Sequence, residues 1–270
     1  MAAYPWSQFI VLWLLSVLGA AAIIPYAFEL NSEKISQASL PRPVLILLSI
    51  LQTSVLMAVA AGAGLWVAGR VGLGAPVLAA ALAGEPAWQL LQPMLLPALL
   101  GGLAIGIALI SLEIWVFRPR VPAALHGADR RIPLWKRLLA CLYGGLNEEV
   151  LLRLFLMSLL AWLIGLVWQA PGGRPAVGAF WAANLLAALL FGLGHLPATA
   201  AITRLTPMVI TRGLVLNGLA GVLFGFLYFE YGLEAAILAH FGLDIVIHVL
   251  APFFNRTGET GGEPALQAEA

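Results

Sequence analysis

Residues 138–168 read LLACLYGGLNEEVLLRLFLMSLLAWLIGLVW, an apolar run interrupted by two adjacent glutamates and one arginine. The run exceeds the roughly 20 apolar residues that a transmembrane helix needs, so we predict a membrane span there. A charged side chain at the centre of such a helix costs about 2.5–3.5 kcal/mol even on the lenient insertion scale. Glu148, Glu149 and Arg153 therefore need partners or a water-filled cavity, and they are candidate functional residues.

The composition of the whole chain is that of a polytopic membrane protein. Of its 270 residues, 61% are hydrophobic and only 10% are charged, against about 25% charged in soluble proteins. This leaves too little polar surface to cover a globule in water, so we predict an all-α transmembrane helix bundle. A single cysteine, Cys141, excludes an internal disulfide. About seven spans are predicted, at residues 6–28, 44–67, 94–117, 138–168, 177–195, 209–228 and 233–252.

The segment between the second and third spans, residues 71–93, is apolar but broken by glycine, proline and Glu85. We predict an interfacial or re-entrant helix there, and an eighth span is the alternative. With seven spans, only Arg70 and Arg174 fall on the outer side. The other side collects Lys34, Arg42, Arg118, Arg120, Arg130, Arg131, Lys136, Arg137, Arg204, Arg212 and Arg256. Because cytoplasmic loops carry the excess of basic residues, we predict the N-terminus outside and the C-terminus inside.

Ionisable residues divide the chain into two regions and a tail. Residues 1–134 hold the first three spans and a basic cytoplasmic loop, and Glu113, near the end of the third span, is predicted to be interfacial. Residues 135–252 hold the other four spans and the intramembrane charges. Residues 253–270 are small and polar, which is typical of a disordered tail.

Helical spacing gives the two glutamates different positions. Glu149 and Arg153 are four residues apart, so they lie on one helix face and can form an internal ion pair. Glu148 is rotated by about 100° from Glu149 and is left free, which suits a general base. At 1.5 Å per residue, Glu148 lies roughly 16 Å inside the cytoplasmic boundary.

Further ionisable residues follow on the fifth and seventh predicted spans. Phe191 and His195 are one helical turn apart, and His240 and Asp244 lie in one stripe along the last helix. His240 is roughly 18 Å from the cytoplasmic end of its span, a depth similar to that of Glu148. We therefore expect these groups to converge in the cytoplasmic half of the membrane.

Small and amide residues predict how the helices pack. Spacing of the small-xxx-small type, which allows close helix approach, occurs at Gly102/Gly106 and Gly221/Gly225. Asn184 and Asn217 are predicted to form hydrogen bonds between helices, because amide side chains commonly do so within membranes.

Three patterns occur in order on successive predicted helices: E-E-x-x-x-R at Glu148–Arg153, F-x-x-x-H at Phe191–His195 and H-x-x-x-D at His240–Asp244. Together they resemble the motifs of the CPBP family. This family includes intramembrane endopeptidases of the CaaX prenyl-protease type and bacterial relatives linked to bacteriocin self-immunity. The resemblance covers about residues 135–252. It implies a protein of the bacterial inner membrane with its active site toward the cytoplasmic half.

The resemblance also implies a reaction and a role for each residue. The reaction is hydrolysis of a prenylated or membrane-tethered peptide, with the lipid bilayer as surroundings and no nucleic-acid partner. Glu148 would activate the attacking water and His195 would orient it. His240 and Asp244 would stabilise the oxyanion. Glu149 and Arg153 would support these groups from behind.

Asp244 departs from the prenyl-protease pattern, in which asparagine takes this position. An ionised carboxylate cannot donate a hydrogen bond to an oxyanion. Asp244 must therefore be protonated, orient His240, or bind a metal. Other bacterial members of the family accept aspartate here, so the resemblance itself is unaffected.

Metal use and function class are the remaining alternatives. Glu148, His195 and His240 would make an acceptable zinc set with water in the fourth place, but the H-E-x-x-H spacing is absent, so metal-free glutamate/histidine chemistry without a cofactor is favoured. Buried ionisable groups also build proton-coupled transporters, although this chain shows no inverted repeat. A catalytically silent immunity or scaffold protein is the other alternative.

Overall fold

The structure is a computed structural model that describes residues 3–126 and 132–251. Within these ranges the chain folds into helices, and the only strand-like feature is a bridge between Gln169 and Pro175. The predicted all-α class is therefore confirmed. The predicted tail, residues 253–270, lies outside the described residues.

The long helices coincide with the predicted spans. Their bounds are α1 Trp6–Leu30, α3 Arg42–Val71, α5 Ala87–Leu112, α8 Val177–Gly194, α10 Pro207–Tyr231 and α11 Leu233–Asp244. Short helices stand between them: α2 Ser32–Ser36, α4 Pro76–Ala83 and α9 Leu196–Ala200. Six helical stretches of the described chain are long and apolar enough to cross a membrane, so the predicted transmembrane bundle is confirmed with approximately the predicted number of spans.

The fourth predicted span is also helical, but it departs from regular α geometry. It begins as α6, Leu134–Tyr143, continues through the π-helical segments Gly144–Glu148 and Val150–Met157, and ends as α7, Ser158–Gly165. A π-helical segment also follows α11, at Ile245–Leu250. Such widened turns are rare and are found frequently at functional sites. Here they surround the first sequence motif and begin directly after the third, which ends at Asp244.

The segment between the second and third spans does not form an eighth span. Helix α4 has eight residues, which is about 12 Å at 1.5 Å per residue, whereas the hydrocarbon core is about 30 Å thick. Gly84 ends α4 in the left-handed conformation, at φ 73°. A carboxylate on α11 holds the other end, because Glu234 Oε1 accepts a hydrogen bond of 2.8 Å from the backbone N–H of Leu78.

Small residues bring the helices into close contact, as their spacing predicts. A Cβ atom at Gly102 would collide with the carbonyl oxygen of Ala239, so α5 and α11 pack backbone to backbone. A Cβ at Gly221 would lie 3.0 Å from the Cα of Ala188, which gives the same relation between α10 and α8. The outer faces carry large apolar side chains; on α3, for example, Leu47 is 65% exposed. An apolar exterior of this kind is suited to lipid.

Candidate active site

A cavity of about 500 Å³ lies among α1, α5, α6, α8, α10 and α11 and the π-helical segments that extend them. Its lining includes Glu148, His195, His240 and Asp244, so the structure brings the predicted catalytic residues together. The two predicted supporting residues, Glu149 and Arg153, are buried behind this surface. The remaining lining is largely apolar.

His240 is the centre of the polar cluster. Its Nδ1 donates a hydrogen bond of 2.7 Å to Glu149 Oε1. Its Nε2 faces two other carboxylates, 3.9 Å from Glu148 Oε2 and 3.7 Å from Asp244 Oδ1. The ring stacks on Phe224 with 4.5 Å between centroids. The imidazole is therefore fixed both in its plane and across its face.

Glu149 joins His240 to the arginine of the first motif. The predicted ion pair is present, with 3.2 Å between Arg153 Nε and Glu149 Oε2, although Oε2 accepts no hydrogen bond within the described part of the chain. Arg153 also donates from Nη2 to the carbonyl oxygen of Gly221 at 3.1 Å. Because Arg153 is buried, this pair compensates its charge. One carboxylate thus binds the arginine and orients the histidine.

Glu148 differs from Glu149 in its exposure. Its side chain is 24% exposed, whereas that of Glu149 is fully buried. None of the described residues forms a hydrogen bond with the Glu148 carboxylate, and His240 Nε2 is its nearest charged partner. The Glu148 oxygens are therefore available to water or to a bound molecule in the cavity.

His195 reaches the same cavity from the end of α8. Its Nδ1 donates to the carbonyl oxygen of Phe191 at 2.9 Å, which leaves Nε2 as the nitrogen that can bind water. The ring of Phe191 packs edge-on against His195, with 4.7 Å between centroids, and lies 6.0 Å from the ring of His240. Phe191 of the second motif therefore separates and positions two histidines.

A comparison with known families gives one match. Residues 130–246 match the family described as type II CAAX prenyl endopeptidase, Rce1-like. The matched region contains the six predicted site residues. This similarity supports a membrane protease of the CAAX type embedded in the lipid bilayer. Comparisons with curated proteins and with solved structures give no significant match.

The matched region contains two residues at or next to the site that the sequence patterns did not single out. Gly144 is the first: a Cβ atom there would collide with Asp244 Oδ2 and would lie 3.3 Å from His240 Nε2. Asn147, which directly precedes Glu148, is the second. Its amide donates a hydrogen bond of 2.9 Å to the carbonyl oxygen of Ser16 on α1. The pair Gly144–Gly145, separated from the N-E-E of residues 147–149 only by Leu146, was the available signal for the first of these.

The two predicted bridging asparagines have different outcomes. Asn184 on α8 donates to the carbonyl oxygen of Val222 on α10 at 3.0 Å, so this prediction is confirmed. Asn217 donates instead to Gly213 of its own helix at 2.8 Å, so the prediction for Asn217 was wrong. Its side chain lines the cavity, where an amide can meet water or a bound molecule.

The predicted zinc alternative was Glu148, His195 and His240. Zinc binds carboxylate oxygen and imidazole nitrogen at about 2.0–2.2 Å. Within residues 3–126 and 132–251, no group of three or more His, Cys, Asp or Glu side chains is arranged to hold a metal ion. His240 Nε2 is 3.9 Å from Glu148 Oε2, and the Nδ1 of His240 donates a hydrogen bond to Glu149. The described side chains are therefore not arranged as a zinc site, and zinc dependence stays the alternative that the chelator experiment below tests.

Proposed function

We propose that the protein is an intramembrane endopeptidase that hydrolyses a peptide bond of a prenylated or membrane-tethered substrate, with Glu148 as general base. The observation that supports this role most directly is the position of the Glu148 carboxylate. It faces the cavity without a hydrogen-bond partner among the described residues and lies 3.9 Å from His240 Nε2. The similarity of residues 130–246 to the Rce1-like family supports protease chemistry in general.

The first step is activation of water. Glu148 takes a proton from a water molecule that His195 Nε2 orients, and the resulting hydroxide adds to the carbon of the scissile carbonyl. When the carbon–nitrogen bond breaks, the protonated Glu148 returns the proton to the leaving amine. Acid–base catalysis of this kind contributes roughly 10²–10⁴-fold to a rate.

The second requirement is stabilisation of the oxyanion, which we assign to His240. With Nδ1 donating to Glu149, a second proton on Nε2 makes the ring a donor to the oxyanion. The negative charge of Glu149 compensates the imidazolium, and Arg153 in turn compensates Glu149. Asp244, 3.7 Å from Nε2, takes the orienting role among the three roles that remained open for it.

The surroundings of the site are part of the proposal. We place the protein in a bacterial inner membrane with the cavity toward the cytoplasmic half, because the basic residues gather on that side of the predicted topology. The cavity lining includes many apolar side chains, among them Leu109, Ile110 and Ile114. Such a lining suits a substrate that carries a lipid or enters from the membrane.

The test is cleavage of a fluorogenic prenylated C-a-a-X peptide and a pool of membrane-tethered peptides by detergent-purified protein. We expect Glu148→Gln to reduce kcat by at least about 10²-fold, while the exposed control Glu33→Gln cleaves like the wild type. Activity that survives a zinc chelator would support metal-free chemistry. Full activity of Glu148→Gln would refute the assigned role, and loss of wild-type activity in chelator would move the chemistry to a metal.

A further inference from the structure

An arginine–glutamate pair stands in the same cavity, apart from the proposed catalytic groups. Arg212 Nε on α10 lies 2.7 Å from Glu113 Oε2, at the start of the π-helical segment Glu113–Phe117 that follows α5. Both residues line the cavity, and about a fifth of each side chain is exposed. Glu113 was predicted to be an interfacial residue and Arg212 to be a topology signal, and neither prediction involved a contact between them.

The pair leaves most of the arginine unused. A guanidinium carries five N–H donors in a planar fork, and Glu113 engages the one on Nε. No other described residue bonds to Arg212 Nη1 or Nη2. A second cation, Arg118, also lines the cavity, and it directly follows the π-helical segment that begins at Glu113. We call Arg118, Arg212 and Glu113 the basic end of the cavity.

The basic end is separated from the reacting groups by a short length of helix. Arg212 and Ala220 both line the cavity on α10, and eight residues correspond to about 12 Å along the axis. Ala220 precedes Gly221, whose carbonyl binds Arg153 behind the site. The cavity therefore has two arginines and Glu113 at one end, and the carboxylates Glu148 and Asp244 near the other.

We propose that Arg212, held in place by Glu113, binds a carboxylate of the peptide substrate. The planar fork of arginine matches a carboxylate and can bind it through two parallel hydrogen bonds. The basic end has two arginines and one glutamate and so keeps a net positive charge, whereas Glu148 and Asp244 are carboxylates. A negative substrate end is therefore repelled from Glu148 and attracted to Arg212, which fixes the direction of the bound chain. This inference rests on the proposed function, and the carboxylate can be that of the C-terminus or of an acidic side chain.

The experiment compares peptides that differ only in the carboxylate. Wild-type protein in nanodiscs is given a prenylated fluorogenic peptide as the free acid, as the C-terminal amide, and as an amide with an added glutamate. We expect the free acid to be preferred, and Arg212→Gln to raise its KM by about 10-fold or more with kcat nearly unchanged. The acid-over-amide preference should disappear in this variant. If the amide with the added glutamate recovers the low KM of the free acid, the ligand of Arg212 is a side-chain carboxylate.

Two controls separate binding from structural and charge effects. Arg204→Gln removes a positive charge from an exposed position outside the cavity and should keep the preference. Arg212→Lys keeps the positive charge but lacks the planar fork, so it should retain only part of the preference for the free acid. Equal losses for acid and amide in Arg212→Gln would show a structural role and overturn the inference. Loss of the acid preference when the nanodisc contains anionic lipid would also overturn the inference, because a lipid phosphate would then be the ligand of Arg212.

Binding without turnover separates this inference from the proposed function. Fluorescence anisotropy with Glu148→Gln protein measures the affinity for the acid and the amide when no hydrolysis occurs. Tighter binding of the acid, lost on adding Arg212→Gln, supports the carboxylate site even if no wild-type cleavage is seen. Equal binding of both peptides overturns the site even if cleavage is efficient.

Discussion

Replacing Gly144 by alanine should damage the site without unfolding the protein. The new Cβ atom would collide with Asp244 Oδ2 and would lie 3.3 Å from His240 Nε2. Restoring ordinary contact requires the Asp244 carboxylate to move by roughly 1 Å, and a 1 Å misplacement at a site can cost about 10²-fold in rate. We therefore expect kcat/KM to fall about 100-fold, which corresponds to about 2.7 kcal/mol at 1.36 kcal/mol per tenfold change.

The stability of Gly144→Ala should change much less. The colliding atom is the tip of a side chain that can rotate, and alanine is better than glycine in a helix by about 1 kcal/mol. Peptide cleavage and thermal unfolding in the same detergent measure the two effects. Gly69→Ala is the matched control, because a Cβ at this helical glycine would meet no atom within 4 Å.

Two results would contradict this reasoning. Wild-type activity in Gly144→Ala would show that the position of Asp244 does not matter to the reaction. A large fall in thermal stability would show that the clash is not absorbed by the carboxylate. A double variant with Asp244→Ala tests the route: if the loss acts through Asp244, the two effects should be strongly non-additive.

Two further variants test the groups around His240. Arg153→Met leaves the buried Glu149 without its arginine partner and should destabilise the protein by about 3–5 kcal/mol. Thermal unfolding measures this effect, and unchanged stability would contradict the charge compensation assigned to the pair. Asp244→Asn should keep cleavage within about 10-fold of wild type, since an amide can hold His240 in place, whereas Asp244→Ala should lose more; equal losses in the two variants would argue against an orienting role.

Local spacing predicted the parts of the site that belong to one helix. The Glu149–Arg153 pair follows from a separation of four residues, and the exposure of Glu148 follows from its rotation away from that pair. The spans themselves follow from the length of the apolar runs. These features depend on neighbours along the chain, which a single sequence displays directly.

Contacts between distant segments were not predictable in the same way. The hydrogen bond from His240 to Glu149 joins two helices far apart in the sequence, and the spacing within each motif carries no sign of it. Asn217 was assigned to another helix because its residue type allows either partner. The π-helical turns were missed because their widening changes no apolar pattern, and Gly144 was overlooked in a chain that is rich in glycine.

The hydrogen bond between Asn147 and Ser16 bears on how much of the chain an intact site requires. It ties the glutamate-bearing helix to α1, which lies outside the residues that match the family. Close contacts of Gly64 with Leu154 and of Gly102 with Ala239 bind α3 and α5 to the same region. In an excised fragment of residues 130–246, the Asn147 amide would lose its partner on α1. Backbone that α3 and α5 now cover would face lipid. The smallest part of this protein that can be transferred with its site intact is therefore the whole bundle. Grafting the motif-bearing helices into another scaffold requires the first three spans as well.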